Sequence, residues 1–399
     1  MSNIAAFTNM LSPGLRVVEN SQSSRTLTLQ SFTHIYLVAP SETGVADSPA
    51  VISGITDFET KFGVPTSPGQ ELTAYIALKL IYENDPTANV YFIKVGGLKE
   101  ATDYTRAIDT LEIDQEYPGG FIIAPAAFKH ISNPASIGAK MIDKAAELNM
   151  LALLDSTQAR NLPGAILLDL INEVDGYTSP KGFGAFYHPY VVESISGTSS
   201  TIPPSCVVAA LATKRFKAEG FKPIGGLRYP MSGVSAPAVK VTRAEQDILN
   251  PRGVNVIRTI RNQGTVIWGM RTIEEGLRYR FVHTRVIANV VNRTFAHSIE
   301  LKRQLFELID GQDRLFSYIE DAAYSIGRQL YQSGMLYGAT EADAFAVKCD
   351  YENNTPEMIQ QGYVFVEFVY AVAPGVEKMI VQTRITDINK VQESISTGR

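Results

Sequence analysis

Between residues 26 and 189, short apolar runs alternate with stretches in which apolar side chains return every three or four positions. The runs Ile35-Tyr36-Leu37-Val38, 90–95, 121–124 and 151–154 are four to six residues long, which predicts buried strands. Leu72, Tyr75, Ile76, Lys79 and Leu80 share one helical face, and 137–148 and 164–174 carry the same period. Pro134 and Pro163 stand where a first helical turn tolerates proline. This alternation predicts an α/β layer fold with a mostly parallel sheet.

The second half is mixed. Residues 205–218 read as a helix, 254–259 and 265–269 as strands turning near Gly264, and 298–338 as a long helical stretch broken near Gly311. Strands are predicted at 344–349 and 363–370, before the break Ala373-Pro374-Gly375. Each end carries a lone strand pattern: Leu15, Arg16, Val17 and Val18 after Ser12-Pro13-Gly14, and 378–386 after the Pro-Gly pair. In the latter, Met379, Val381, Thr383 and Ile385 alternate with Lys378, Ile380, Gln382 and Arg384. A single strand cannot satisfy its own backbone groups, so each must join a sheet in this chain or in another.

With 399 residues, 45% hydrophobic and 19% charged, the chain has apolar material for more than one core, and its length predicts two domains. No run approaches the roughly 20 apolar residues of a membrane span, and residues 1–14 lack the pattern of a signal peptide, so a cytoplasmic protein is expected, with no membrane insertion. Cys206 and Cys349 match no metal or redox spacing and are expected to be reduced and buried. The net charge of −5 conceals a split: residues 1–190 hold 12 Lys and Arg against 20 Asp and Glu, and the remainder 24 against 21. Residues 240–303 are the most basic, 12 against 5, which suits either a surface for an acidic partner or a set of internal ion pairs.

Candidate chemistry is sparse. There is no GxxxxGK[ST] loop, no GxGxxG after a strand and no GxSxG elbow, and the five histidines show no HExxH spacing. No catalytic, cofactor or metal residue is therefore assigned. The basic segment has few interleaved aromatics, only Trp268, Tyr279, Phe281 and Phe295, which argues against a nucleic-acid partner.

Several stretches, taken in order, resemble the tail sheath proteins of contractile phages, R-type pyocins and related injection systems. They are LSPGLRVVE (11–19), ISGITDFETKFG (52–63), VYFIKVGG (90–97), IPPSCVVAALATKRFKAEGFKPIGG (202–226) and GMLYGATEADAFAVKCD (334–350). The densest is AEQDILNPRGVNVIRTIRNQGTVIWGMRT (244–272), in which Leu249-Asn250, Gly253-Val254-Asn255, Ile257-Arg258, Gly264 and 268–272 fall as in the sheath pattern. Two positions depart from it: Arg16 stands where an aromatic or a second valine is usual, and Met270 where alanine is.

The resemblance implies a structural, non-enzymatic subunit without cofactor, built as an α/β (α+β mixed) fold of two domains of mixed sheets with flanking helices. Residues 1–25 and 376–399 become strand arms exchanged between subunits, 26–190 an outer domain and 191–375 the inner layer. The exchanging residues are Leu15, Arg16, Val17, Val18, Met379, Ile380, Val381, Thr383 and Ile385. The implied partners are further copies of the chain, an inner tube protein, and baseplate and terminator or cap proteins, in a phage-tail-like particle. Charge alone offers Lys302 and Arg303 as inner-tube contacts. The competing readings are a self-contained α/β enzyme or binding module, and a basic nucleic-acid-binding protein.

Overall fold

The computed structural model describes residues 27–112, 115–197, 199–274 and 276–383. From the N-terminal side the elements are β1 (Phe32–Ala39), β2 (Pro49–Ile52), α1 (Ile55–Phe62), α2 (Gln70–Asn84), β3 (Asn89–Lys94), α3 (Ala101–Asp109), β4 (Gly119–Ile123), α4 (Pro125–His130) and α5 (Ala135–Glu147). Then come β5 (Leu151–Asp155), α6 (Leu167–Asp175), β6 (Gly184–His188), β7 (Val191–Glu193), β8 (Thr201–Ile202), α7 (Ser205–Glu219), β9 (Val234–Pro237) and α8 (Arg243–Leu249). The chain continues through β10 (Val254–Ile260), β11 (Gly264–Trp268), α9 (Val282–Ala296), α10 (Ile299–Lys302), α11 (Arg314–Gln332), α12 (Glu341–Ala344), β12 (Phe345–Lys348), α13 (Pro356–Gln360) and β13 (Glu367–Tyr370).

Eight strands form one sheet in the order β11-β10-β6-β5-β4-β1-β3-β2. Its six inner strands run parallel, and the antiparallel β2 and β11 close the edges. Parallel strands need both faces covered, and the period-2 alternation divides β1 accordingly. Ile35, Leu37 and Ala39 face a core with α1, α2 and α7; Tyr36 and Val38 face the opposite core with α3, α5 and α6. Ten residues of α7 are buried because α7 lies between the sheet and α2. The sheet draws strands from both sides of residue 190, since β10 pairs with β6 through Val254–Phe186, Asn255–Tyr187 and Val256–His188.

Gly253, just ahead of β10, has φ +82, and an added Cβ would overlap the Thr272 carbonyl. The two smaller sheets are β8-β7-β9 and the antiparallel pair β12-β13. The latter belongs to a third core around α11, where Ile326 and Leu330 meet Phe345, Leu336 and Met335.

Several expectations shift. The long helical stretch is split into α10 and α11 by an irregular segment, 303–313, wider than a break at one glycine. The strand expected at 363–370 is regular only over β13, because Asn354 takes the place of a partner strand for Phe365: its Nδ2 donates to the Phe365 carbonyl at 3.0 Å and its Oδ1 accepts from the Phe365 amide. Pro163 precedes a turn four residues ahead of α6 rather than its first helical turn. Cys206 and Cys349 are free and buried. Helix α9 was not foreseen.

Candidate functional site

The two ends of the described chain leave the body around the third core. Leu27 is buried in it, its amide donates to Ser325 Oγ of α11 at 3.0 Å, and its carbonyl accepts from Gln329 Nε2. On the other side β13 runs on into Val372, which bridges Leu336, and the Ala373 amide donates to the Met335 carbonyl at 2.8 Å. One small cluster therefore anchors both roots.

Helix α9 ties this cluster to the large sheet through three stripes of side chains four residues apart, the spacing that places residues on one helical face. Val282, Val286 and Val290 enter the sheet-face core, while Ile287 and Val291 enter the third core. The remaining stripe is polar and buried. Arg285 donates to the Lys181 carbonyl ahead of β6 at 3.2 Å, Asn289 to the Met150 carbonyl ahead of β5 at 2.8 Å, and Arg293 to the carbonyls of Leu148 and Tyr117, ahead of β5 and β4. Next to it Thr294 Oγ1 accepts the Gln30 amide, ahead of β1, at 3.0 Å. The helix thus crosses the entrances of four neighbouring strands and satisfies a backbone group at each. Arg285 also lies between the rings of Phe183 and Tyr279, 4.3 and 4.4 Å from their centroids. Substituting Asn289 by alanine leaves the Met150 carbonyl buried without that donor, and a loss of about 2 kcal/mol of folding stability is expected from urea midpoints.

The sequence-derived site residues divide into three groups. Leu15, Arg16, Val17, Val18 and Ile385 lie outside the described residues. Met379, Ile380, Val381 and Thr383 are described and lie in no strand of their own subunit. Met379, Ile380 and Val381 are 79%, 95% and 74% exposed, a run of apolar side chains left in solvent. Lys302 closes α10 and pairs with Glu116 at 2.7 Å; Arg303 pairs with Glu300 at 2.8 Å and keeps most of its surface exposed. Beside them Leu305, Phe306 and Leu308 are exposed. Charge, the signal that picks out Lys302 and Arg303, does not reveal these three.

One buried pair has the look of catalytic chemistry. Ser156 Oγ lies 2.9 Å from His188 Nδ1 and accepts from Asn161 Nδ2 at 2.9 Å. Burial pushes the His188 pKa down to about 3, with Glu245 opposing it weakly, so the imidazole is neutral. Ser156 is sealed from solvent. The Asn161 side chain also accepts from the Tyr190 amide, and the group serves to join the ends of β5 and β6. Among the described residues no group of three or more His, Cys, Asp or Glu is placed to hold a metal ion, and no helix is long and apolar enough to cross a membrane.

No family model matches the chain. Among curated proteins, the tail sheath protein of Escherichia phage P2 is 21% identical over 403 aligned residues, which span 94% of this chain and 95% of that protein. The chain is a homologue of contractile tail sheath proteins. Solved structures give the same fold. The sheath complex of the extracellular contractile injection system PVC, in the contracted state, superposes with a TM-score of 0.71 at 21% identity, covering 96% of this chain and 99% of that one. A chain of the contracted baseplate of the anti-feeding prophage reaches 0.73 at 23% identity, covering 94% and 99%.

Within this sheath homologue the densest sequence pattern occupies the junction of the large sheet with the C-terminal root. Asn255 is fully buried in β10, where its Oδ1 accepts the Arg271 amide and its Nδ2 donates to the Arg271 carbonyl, both at 2.7 Å. Arg271 in turn reaches Glu377. The polar stripe of α9 was missed although Arg285, Asn289 and Arg293 stand at a readable spacing of four among valines and isoleucines. Its β-branched content lowers helix propensity, and its arginines fit a partner surface and internal ion pairs equally well from charge alone.

Proposed function

We propose that this protein is the structural subunit of a contractile sheath, polymerising as a helical tube around an inner tube and shortening to drive that tube through a target envelope. The observation that carries the reading is the end-to-end match to the phage P2 tail sheath protein. A head-to-tail contact that does not close on itself produces the helical array such a role needs. Assembly takes place in the cytoplasm, with baseplate and terminator or cap proteins at the two ends.

In this reading the terminal arms, 1–25 and 376–399, are donated to neighbouring copies. Support comes from Met379, Ile380 and Val381, which gain nothing from exposure, and from the pair β12-β13, which makes a sheet of only two strands among the described residues. An isolated two-stranded sheet is marginal and presents unpaired backbone edges that invite strand addition. An open groove of about 550 Å³ runs beside it, lined by Tyr279, Phe281, Phe368, Tyr370 and Val372. Residues 191–375 form the inner layer and 26–190 the part displayed outward, a division by radial position within one shared sheet. Lys302 and Arg303 are the inner-tube contacts, joined by the exposed Leu305, Phe306 and Leu308.

Electron microscopy of the purified full-length protein tests the proposal. Long hollow cylinders of regular helical repeat are expected. A protein that stays monomeric in sedimentation at every concentration and salt condition, alone and with its tube protein, is not a sheath subunit.

A further inference from the structure

The sequence places a break at Ala373-Pro374-Gly375, but these residues are held on the body. The Ala373 carbonyl accepts from His283 Nε2 at 3.1 Å. Gly375 lies so close to Met270 and Pro223 that an added Cβ would come within 3.0 Å of each. Two residues on, Arg271 grips Glu377 with both arms of its guanidinium: Nε donates to Oε1 at 2.8 Å and Nη2 to Oε2. Asn250 Nδ2 adds a bond to Oε1 at 3.2 Å, and Arg271 Nη1 donates to the Asn250 carbonyl at 3.1 Å. The Arg271 side chain is 10% exposed and that of Glu377 18%, so neither water nor salt competes strongly for the pair. Residues 378–383, the described part beyond Glu377, are exposed to solvent.

We propose that Arg271 and Glu377 form a clasp that sets the pivot of the C-terminal arm at Lys378, and that Asn255 carries tension on the arm from Arg271 into β10. The purpose of such a pivot rests on the sheath reading; the clasp itself does not. Released, residues 374–377 add about 13 Å of reach at roughly 3.3 Å per residue, so the shut clasp fixes tether length between neighbouring copies. Arg271 and Glu377 are positioning residues: they touch the root of the arm, not the surface that receives it.

Spin labels test the clasp in the unassembled full-length subunit, because Cys206 and Cys349 are both buried and labels can be directed to introduced cysteines. Val376→Cys lies inside the held segment and Ile380→Cys beyond it, and both native side chains are exposed. The label at 376 is expected to be restricted and the label at 380 free. Adding Glu377→Gln should make 376 as free as 380 and leave 380 unchanged, with Asn250→Ala intermediate. Equal mobility at 376 and 380 in the unaltered background, or a contrast that survives Glu377→Gln, overturns the clasp. In assembled material, Glu377→Gln should still give tubes, with a wider spread of axial repeat. Absence of tubes from the parent protein would count against the sheath reading and leave the label result standing.

Discussion

Subunits lacking residues 379–399, and subunits lacking residues 1–20, are expected to stay folded and to form no tubes where the full-length protein does. Neither cut reaches the anchored roots: Leu27 stays in the third core, and Glu377 keeps Arg271. The first cut removes Met379, Ile380 and Val381, which contribute nothing to the core of their own subunit. What is lost lies between subunits. If each donated strand makes four ladder hydrogen bonds worth about 1 kcal/mol apiece, its removal costs each contact about 4 kcal/mol and raises the concentration needed for assembly about a thousand-fold. Far-ultraviolet circular dichroism monitors the fold, and sedimentation velocity with electron microscopy reads the assembly. Normal tubes from both truncations would remove the case for strand exchange.

The parallel sheet was the most legible part of the chain. β1, β3, β4 and β5 are buried on both faces, so their apolar runs are continuous and bounded by turn residues, a local pattern that needs no knowledge of partners. β10 and β11 were readable as strands, but their place was not: nothing local says that Val254 pairs with Phe186, 68 positions earlier. That pairing extends one sheet across residue 190. Helix α9 was hard to read for a related reason, although its polar residues keep a spacing of four. Its three stripes serve two cores and a row of strand entrances, so no single apolar face stands out, and its buried arginines answer to carbonyls that only the folded sheet brings together. Of the C-terminal root, the exposed alternation after residue 377 was readable, whereas the hold on Glu377 was not, because Arg271 is 106 residues away.

Replacing Asp155 by asparagine is expected to stabilise the fold increasingly as pH rises from about 4 to 7, and by a constant amount above that. Asp155 ends β5, fully buried, with one carboxylate oxygen accepting the Ser205 amide at the start of α7 at 2.9 Å and the other without a partner among the described residues. Burial raises its pKa from 3.8 to about 7, with Ser205 opposing the rise. The folded protein therefore keeps a proton that the unfolded chain releases between those values. Below the unfolded pKa the group makes no difference; through the interval each pH unit costs the native state about 1.4 kcal/mol; above 7 the cost is complete, about 4 kcal/mol in all. Asparagine does not titrate and keeps an acceptor for the Ser205 amide. Urea denaturation of both proteins at pH 5 and pH 8 decides the point: the advantage of Asp155→Asn should be larger at pH 8 by about 3 kcal/mol. An advantage independent of pH would mean that Asp155 is already ionised at pH 5, and that the end of β5 is wetter than its burial implies.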